Sequence, residues 1–272
     1  TLATHDGYRR LYLDNAFKGV FIDELNEADV AKWFSDLNNR AGPGAANRTL
    51  EILKNLLNKA EAWGYRLENT NPCRSVRPNK RRQCERFMSA DELARLGNVL
   101  AQLRIDDNPT IRASGAAITL LLLTGCRCRE ILTLQWQDVK GSRLLLRDSK
   151  TGPRTVWLGS VAREVIESLP RRAKIPWLFW NTHYRRPIRS LQYMWEAVRE
   201  RADLGKLRIH DLRHTFASHA AMNKETLPMI GRLLGHANHQ STARYAHLDD
   251  EHLLDAAQQV GDAVECLLGS IY

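Results

Sequence analysis

The chain has 272 residues, 43% of them hydrophobic, which makes two domains with real cores the default expectation and leaves one large domain open. Its 40 Lys and Arg outnumber 31 Asp and Glu, and the net charge of +9 is the footprint of a polyanion binder. Five scattered cysteines, Cys73, Cys84, Cys126, Cys128 and Cys266, argue against a disulfide framework or a zinc ribbon. The longest apolar run, Ile118 to Leu123, falls far short of the roughly 20 residues that span a bilayer. The reading is a cytoplasmic protein with no membrane partner.

Residues 1–77 read as wholly helical, with apolar residues at helical spacing in Tyr8-Leu11-Tyr12, Val30-Trp33-Phe34-Leu37 and Leu50-Leu53-Leu56-Leu57-Ala60-Trp63. Asn26, Glu27 and Asp29 open one helix, Gly42-Pro43-Gly44 breaks before the next, and Gly64 ends it. The composition then turns to Pro, Asn and base. Arg74, Arg77, Lys80, Arg81 and Arg82 suit contact with a nucleic-acid backbone, and they suit a solvated charge run as well. The connector is placed at 78–88.

A second domain at 89–272 opens with the capping-box pattern Ser89-Ala90-Asp91-Glu92 and continues helically to about Trp136. Two short strands, Arg143 to Arg147 and Thr155 to Leu158, flank Asp148-Ser149-Lys150-Thr151-Gly152-Pro153, a hairpin with a lysine at its turn. Helical patterns follow at Val161 to Leu169, Leu191 to Arg201, Asp211 to Met222, Leu227 to Leu234 and about 250–268. The expected class is mainly α with a small antiparallel sheet, an α+β fold.

Separated positions carry the chemistry. Arg127 leaves a buried helix at a glycine break, and its planar fork suits a phosphate or a salt bridge to Glu130. His210 and Arg213 share a face near a helix start, where free backbone N–H groups favour an anion; a cap and a surface pair are the blander reading. His210 and His214 stand four apart like zinc ligands, but the glutamate of an H-E-x-x-H site is missing. Asp106-Asp107 and Asp249-Asp250 do not converge, and Gly42-Pro43-Gly44 lacks a P-loop lysine, so neither a metal, a cofactor nor ATP is expected.

Taken in order, Thr124-Gly125-Cys126-Arg127, Lys150, His210-Asp211-Leu212-Arg213-His214, Leu234-Gly235-His236 and Tyr245 resemble the catalytic pattern of the tyrosine recombinase, or phage integrase, family. Leu233 to His236 and Ser241 to His247 look like its tyrosine region, and Glu130 matches the acid after its first arginine. Cys126, Cys128 and Arg129 depart from the usual small or aliphatic neighbours. The helical part resembles a core-binding domain whose opening helix is short or absent; no arm-binding domain is visible, and truncation would explain both.

The resemblance implies a site-specific recombinase that integrates or excises a mobile element through a 3′-phosphotyrosyl link. Tyr245 would be the nucleophile, Arg127, Arg213 and His236 the phosphate clamp, Lys150 the general acid and His210 the general base, with Glu130 and His214 in support. It further implies double-stranded DNA with attachment sites, dimers to tetramers on DNA, DNA-bending accessory proteins, nucleoid association, and an exchange helix at 250–268 docking on a neighbouring protomer or on its own domain. A type IB topoisomerase, a resolvase and a non-catalytic regulator are the alternatives.

Overall fold

The computed structural model describes residues 2–80, 86–147, 152–183, 185–236, 238, 240–243, 245–246, 258, 260, 262 and 264. The chain divides into two compact units, Thr1–Cys84 and Glu85–Tyr272. Among the described residues no helix is long and apolar enough to cross a membrane.

The first unit packs α1 (Leu2–Tyr12), α2 (Glu27–Ala41) and α3 (Pro43–Ala62), followed by a short 3-10 turn at Pro72–Arg74. Asn26 and Asp29 cap the start of α2 reciprocally, each side chain accepting from the other's backbone N–H. Gly42 ends α2 and precedes α3 in a single residue; its φ of 83° is a conformation that glycine adopts without a side-chain clash. Val30, Trp33, Phe34 and Leu37 on one stripe of α2 meet Ala46, Leu50, Leu53 and Leu57 of α3. Buried Asn71 closes the unit: its backbone N–H donates to Glu61 Oε1 at 2.7 Å and its side chain accepts from Cys73 N at 3.0 Å.

The second unit starts with α4 (Ala90–Arg104), and Ser89 and Glu92 form the capping box that the sequence suggests. There follow α5 (Pro109–Thr124), α6 (Cys128–Leu132), strands β1 (Val139–Lys140), β2 (Arg143–Leu146) and β3 (Arg154–Trp157), α7 (Ser160–Glu167), β4 (Trp180–Asn181) and β5 (Arg186–Pro187). Helices α8 (Gln192–Arg201), α9 (Asp211–Met222), α10 (Leu227–Leu234) and α11 (Gln240–Ala243) complete the elements. The expected hairpin is present, Leu144 pairing with Val156 and Leu146 with Arg154, and β1 adds a third strand on its free edge. Helix α5, buried on most of its surface, is the centre of the core, packing through Ala117, Ile118, Leu120 and Leu121 in one cluster with Leu96, Ile131, Leu144, Phe179, Trp195 and Leu212.

Both ends of the expected connector belong to folded structure. Asn79 is tied to Asn47 by three hydrogen bonds in the first unit, while Met88 is fully buried in the second and donates its N–H to Thr215 Oγ1 at 3.1 Å. Arg81, Arg82 and the hairpin turn with Lys150 lie outside the described residues, as does 250–268 apart from four positions, of which Val260 and Val264 are exposed.

Candidate active site

The site is assembled where three helix ends meet. Helix α5 stops at Gly125, whose φ of 60° is left-handed, and a Cβ there would lie 2.5 Å from Phe216 Cδ1 and 2.8 Å from Leu234 Cδ2. Only glycine lets α9 and α10 approach the end of α5 this closely. Gly125→Ala is therefore expected to destabilise the second unit by about 1–3 kcal/mol, since it adds both overpacking and backbone strain. Denaturant unfolding measures this, and unchanged stability would contradict the packing described.

Past Gly125, Cys126 is buried and Arg127 emerges as the N-cap of α6. Glu130 binds Arg127 twice, accepting from its backbone N–H at 2.9 Å and from Nη1 at 2.8 Å. The salt bridge to Glu130 that the sequence allows for Arg127 is thus present. The same carboxylate accepts from Arg154 Nη2 at 2.8 Å. Burial works against its charge, but the hydrogen bonds from Arg154 and Arg127 outweigh burial and hold Glu130 below its ordinary pKa of 4.5.

Arg213, on the first turn of α9, spans two helix ends: Nη1 donates to Gly125 O at 2.7 Å and Nη2 to Leu234 O at 2.9 Å. Both carbonyls terminate helices and so present the negative end of a helix dipole. The residue is only 5% exposed, and among the described residues no carboxylate pairs with it. Burial, followed by the charges of Arg127 and Arg154, pushes its pKa down to about 10. Two guanidiniums pair with Glu130 and a third, Arg213, lies within electrostatic reach of all three groups, so among the described residues positive charge exceeds negative here, an arrangement that an anion would relieve.

His236 follows the left-handed Gly235 at the end of α10, and its Nδ1 lies 2.8 Å from Thr242 Oγ1. His210 is the N-cap residue of α9, and its ring stands edge-on to that of His214 with centroids 5.2 Å apart. Desolvation, then the charge of Arg213, holds the His210 pKa below its ordinary 6.5. Tyr245, 5% exposed, packs with Ala217, Ala221, Ile230 and Leu234. Its hydroxyl lies 2.7 Å from His214 Nδ1. The resemblance assigned proton acceptance to His210, whereas the histidine in contact with the hydroxyl is one helical turn further on.

Elsewhere, Arg74 is engaged in the fold of the first unit: Nη2 pairs with buried Glu61 at 2.5 Å and Nη1 donates to Asn69 at 3.0 Å. Arg77 and Lys80 are exposed. Sequence reasoning missed Arg154, because an arginine opening a strand after a turn looks like surface charge; its side chain is only 10% exposed.

A sequence profile described as the phage integrase family matches residues 86–252. Tyrosine recombinase XerC of Chromohalobacter salexigens is 28% identical over 270 residues, which cover 94% of this chain and 89% of that protein. The integrase of Escherichia phage 186 is 28% identical over 210 residues, covering 75% of this chain and 55% of the phage protein. Among solved structures, a lambda integrase (75–356) dimer bound to a core site has a TM-score of 0.73 at 17% identity, covering 90% of this chain and 87% of that one. XerH recombinase bound to a palindromic difH substrate has a TM-score of 0.70 at 18% identity, covering 92% of this chain and 76% of that one. Sequence and fold together define an enzyme of the tyrosine recombinase class, which transfers DNA strands. The chain belongs to the phage integrase family.

Proposed function

We propose that this chain is a site-specific recombinase that cuts and rejoins duplex DNA through Tyr245, integrating or excising a mobile element. The observation that carries the reading is the buried guanidinium of Arg213 beside Arg127, which among the described residues has no carboxylate paired with it, on the helix whose His214 holds the Tyr245 hydroxyl. A phosphodiester resists attack because its oxygens repel nucleophiles and its transition state gathers negative charge, so a rigid cationic clamp is the useful catalyst. Arg127, Arg213 and His236 form that clamp.

Tyr245 Oη attacks phosphorus as its proton passes to His210, with His214 orienting the hydroxyl. The bond from phosphorus to the 5′ oxygen breaks, and Lys150 protonates the leaving oxygen. The 3′-phosphotyrosyl link keeps the energy of the diester, so a 5′ hydroxyl from a second duplex can reverse the step without ATP. In this reading the helical first unit grips the DNA at its attachment site, with Arg77, Lys80, Arg81 and Arg82 along the backbone and Arg74 held back by Glu61. Dimers to tetramers bring two duplexes together, with DNA-bending accessory proteins aiding assembly. The DNA-bound dimer of the lambda integrase structure supports both the DNA partner and self-association.

Covalent capture of nicked duplexes from a randomised library tests the reading and yields the target. Strand exchange between two captured duplexes is the expected result. Relaxation of supercoiled DNA without exchange would instead indicate a topoisomerase-like enzyme, and binding without capture a regulator.

The lowered pKa of His210 sets a pH profile. A group that must be neutral, and whose pKa lies below 6.5, keeps cleavage at full rate down to about that value and loses it in more acid solution. The folded state also binds this proton more weakly than the unfolded chain, so stability falls as pH drops through 6.5 and levels off below the folded value. Single-turnover cleavage across pH should show the acid limb, and His210→Asn should remove it. An unchanged limb in that variant would assign it to another group.

A further inference from the structure

Arg154 touches several parts of the site at once. From the first position of β3, its Nη2 donates to Glu130 Oε2 at 2.8 Å and lies 3.5 Å from Cys126 Sγ, while Nη1 donates to Leu233 O at 3.1 Å. Its side chain runs against Gly235, where a Cβ would come within 2.5 Å of Arg154 Cδ. One side chain thus links the α6 turn that carries Arg127 to Leu233 near the end of α10, three residues before His236.

The charges around Glu130 give this link a purpose. The carboxylate meets the Arg127 side chain on one oxygen and Arg154 on the other. A phosphate that docks on Arg127 competes with Glu130 for the same guanidinium. With Arg127 as its sole cation, Glu130 would resist the exchange, because a buried carboxylate left without a counter-charge is strongly disfavoured. We infer that Arg154 is a positioning residue that holds the charge of Glu130 so that Arg127 can engage the scissile phosphate, and that anchors the end of α10 to the same carboxylate. The inference rests on the reading of this site as a phosphodiester clamp.

The test compares wild type, Arg154→Gln, Arg154→Lys, Glu130→Gln and the double variant Glu130→Gln/Arg154→Gln, each corrected for folded fraction by thermal unfolding. Single-turnover adduct formation is followed on a captured nicked duplex, beside DNA affinity. Arg154→Gln should slow cleavage on the order of tenfold or more with affinity nearly unchanged, the scale of losing one charge-positioning contact. Arg154→Lys should recover part of the rate, since it keeps the charge and loses the fork to Leu233 O. The deciding variant is the double one. If Arg154 acts by compensating Glu130, neutralising Glu130 as well restores cleavage above that of Arg154→Gln alone; if it only fills space, the double variant is equal or worse, and the inference falls.

Binding of orthovanadate to the full chain, measured by calorimetry without DNA, should weaken in Arg154→Gln and recover in the double variant. Cleavage by wild type with no effect of Arg154→Gln overturns the inference and leaves the Tyr245 mechanism standing. Absence of any wild-type adduct overturns the mechanism, and the vanadate series then decides the role of Arg154 by itself: its expected pattern supports the role, and equal binding by all variants overturns it.

Discussion

Tyr245→Phe is expected to abolish the covalent adduct while leaving folding and sequence-specific DNA binding intact. Phenylalanine preserves the ring that packs on Ala217, Ala221, Ile230 and Leu234. What is lost is the hydroxyl and its 2.7 Å contact with His214, worth about 1 kcal/mol, a change that a folded domain tolerates. Phenylalanine carries no oxygen that could attack phosphorus, so with Tyr245 as the proposed nucleophile the chemical step should stop rather than slow. A gel-shift assay beside a denaturing gel of the nicked-duplex reaction separates binding from adduct formation. Normal adduct yield would refute the assignment of Tyr245, and lost DNA binding would show that the hydroxyl serves the fold.

Arg213→Lys should cost roughly 10²–10³ in cleavage rate, the usual scale for losing one preorganised donor to developing transition-state charge. The substitution is conservative only in charge. The planar fork of Arg213 reaches Gly125 O and Leu234 O together, and a single ammonium on a flexible stem cannot hold both helix ends while also facing phosphate. Burial that already pushes the arginine down to about 10 would bear harder on an amine whose ordinary value lies near 10.4. Stability should fall by about 1.5–3 kcal/mol, as when a charged hydrogen bond is lost. Denaturant unfolding and single-turnover cleavage at saturating DNA measure the two effects separately. Cleavage at the wild-type rate would remove Arg213 from the clamp.

Much of this architecture is legible in the sequence because it is periodic or punctuated. Helices α9 and α10 lie at the residues that spacing suggests, and the caps at Asn26 and Ser89 follow from side-chain chemistry. Strands β1, β4 and β5 escape because two residues cannot express an alternation. The site is legible as an ordered set of residue types, yet its hydrogen bonds are not. Which histidine meets Tyr245 depends on how α9 is rotated against the segment after α11, a tertiary property. Arg74 and Arg154 look alike in a chain, as arginines beside turns, and only packing separates them: each shares a carboxylate partner, but Arg154 is buried against the helix ends that carry the clamp. Glycines behave differently, since the left-handed φ of Gly125 and Gly235 could be suspected from the motifs T-G-x-R and L-G-H alone, where each glycine directly precedes or closes a helix end.

The central claim is that Tyr245 takes the 3′ phosphate of a cut strand, and mapping the protein–DNA junction tests it most directly. Proteolysis of the trapped adduct followed by mass spectrometry should give one peptide, containing Tyr245, joined to a 3′ phosphate, with a free 5′ hydroxyl on the released strand. A junction on another residue, or a 5′-phosphate linkage, would contradict the account.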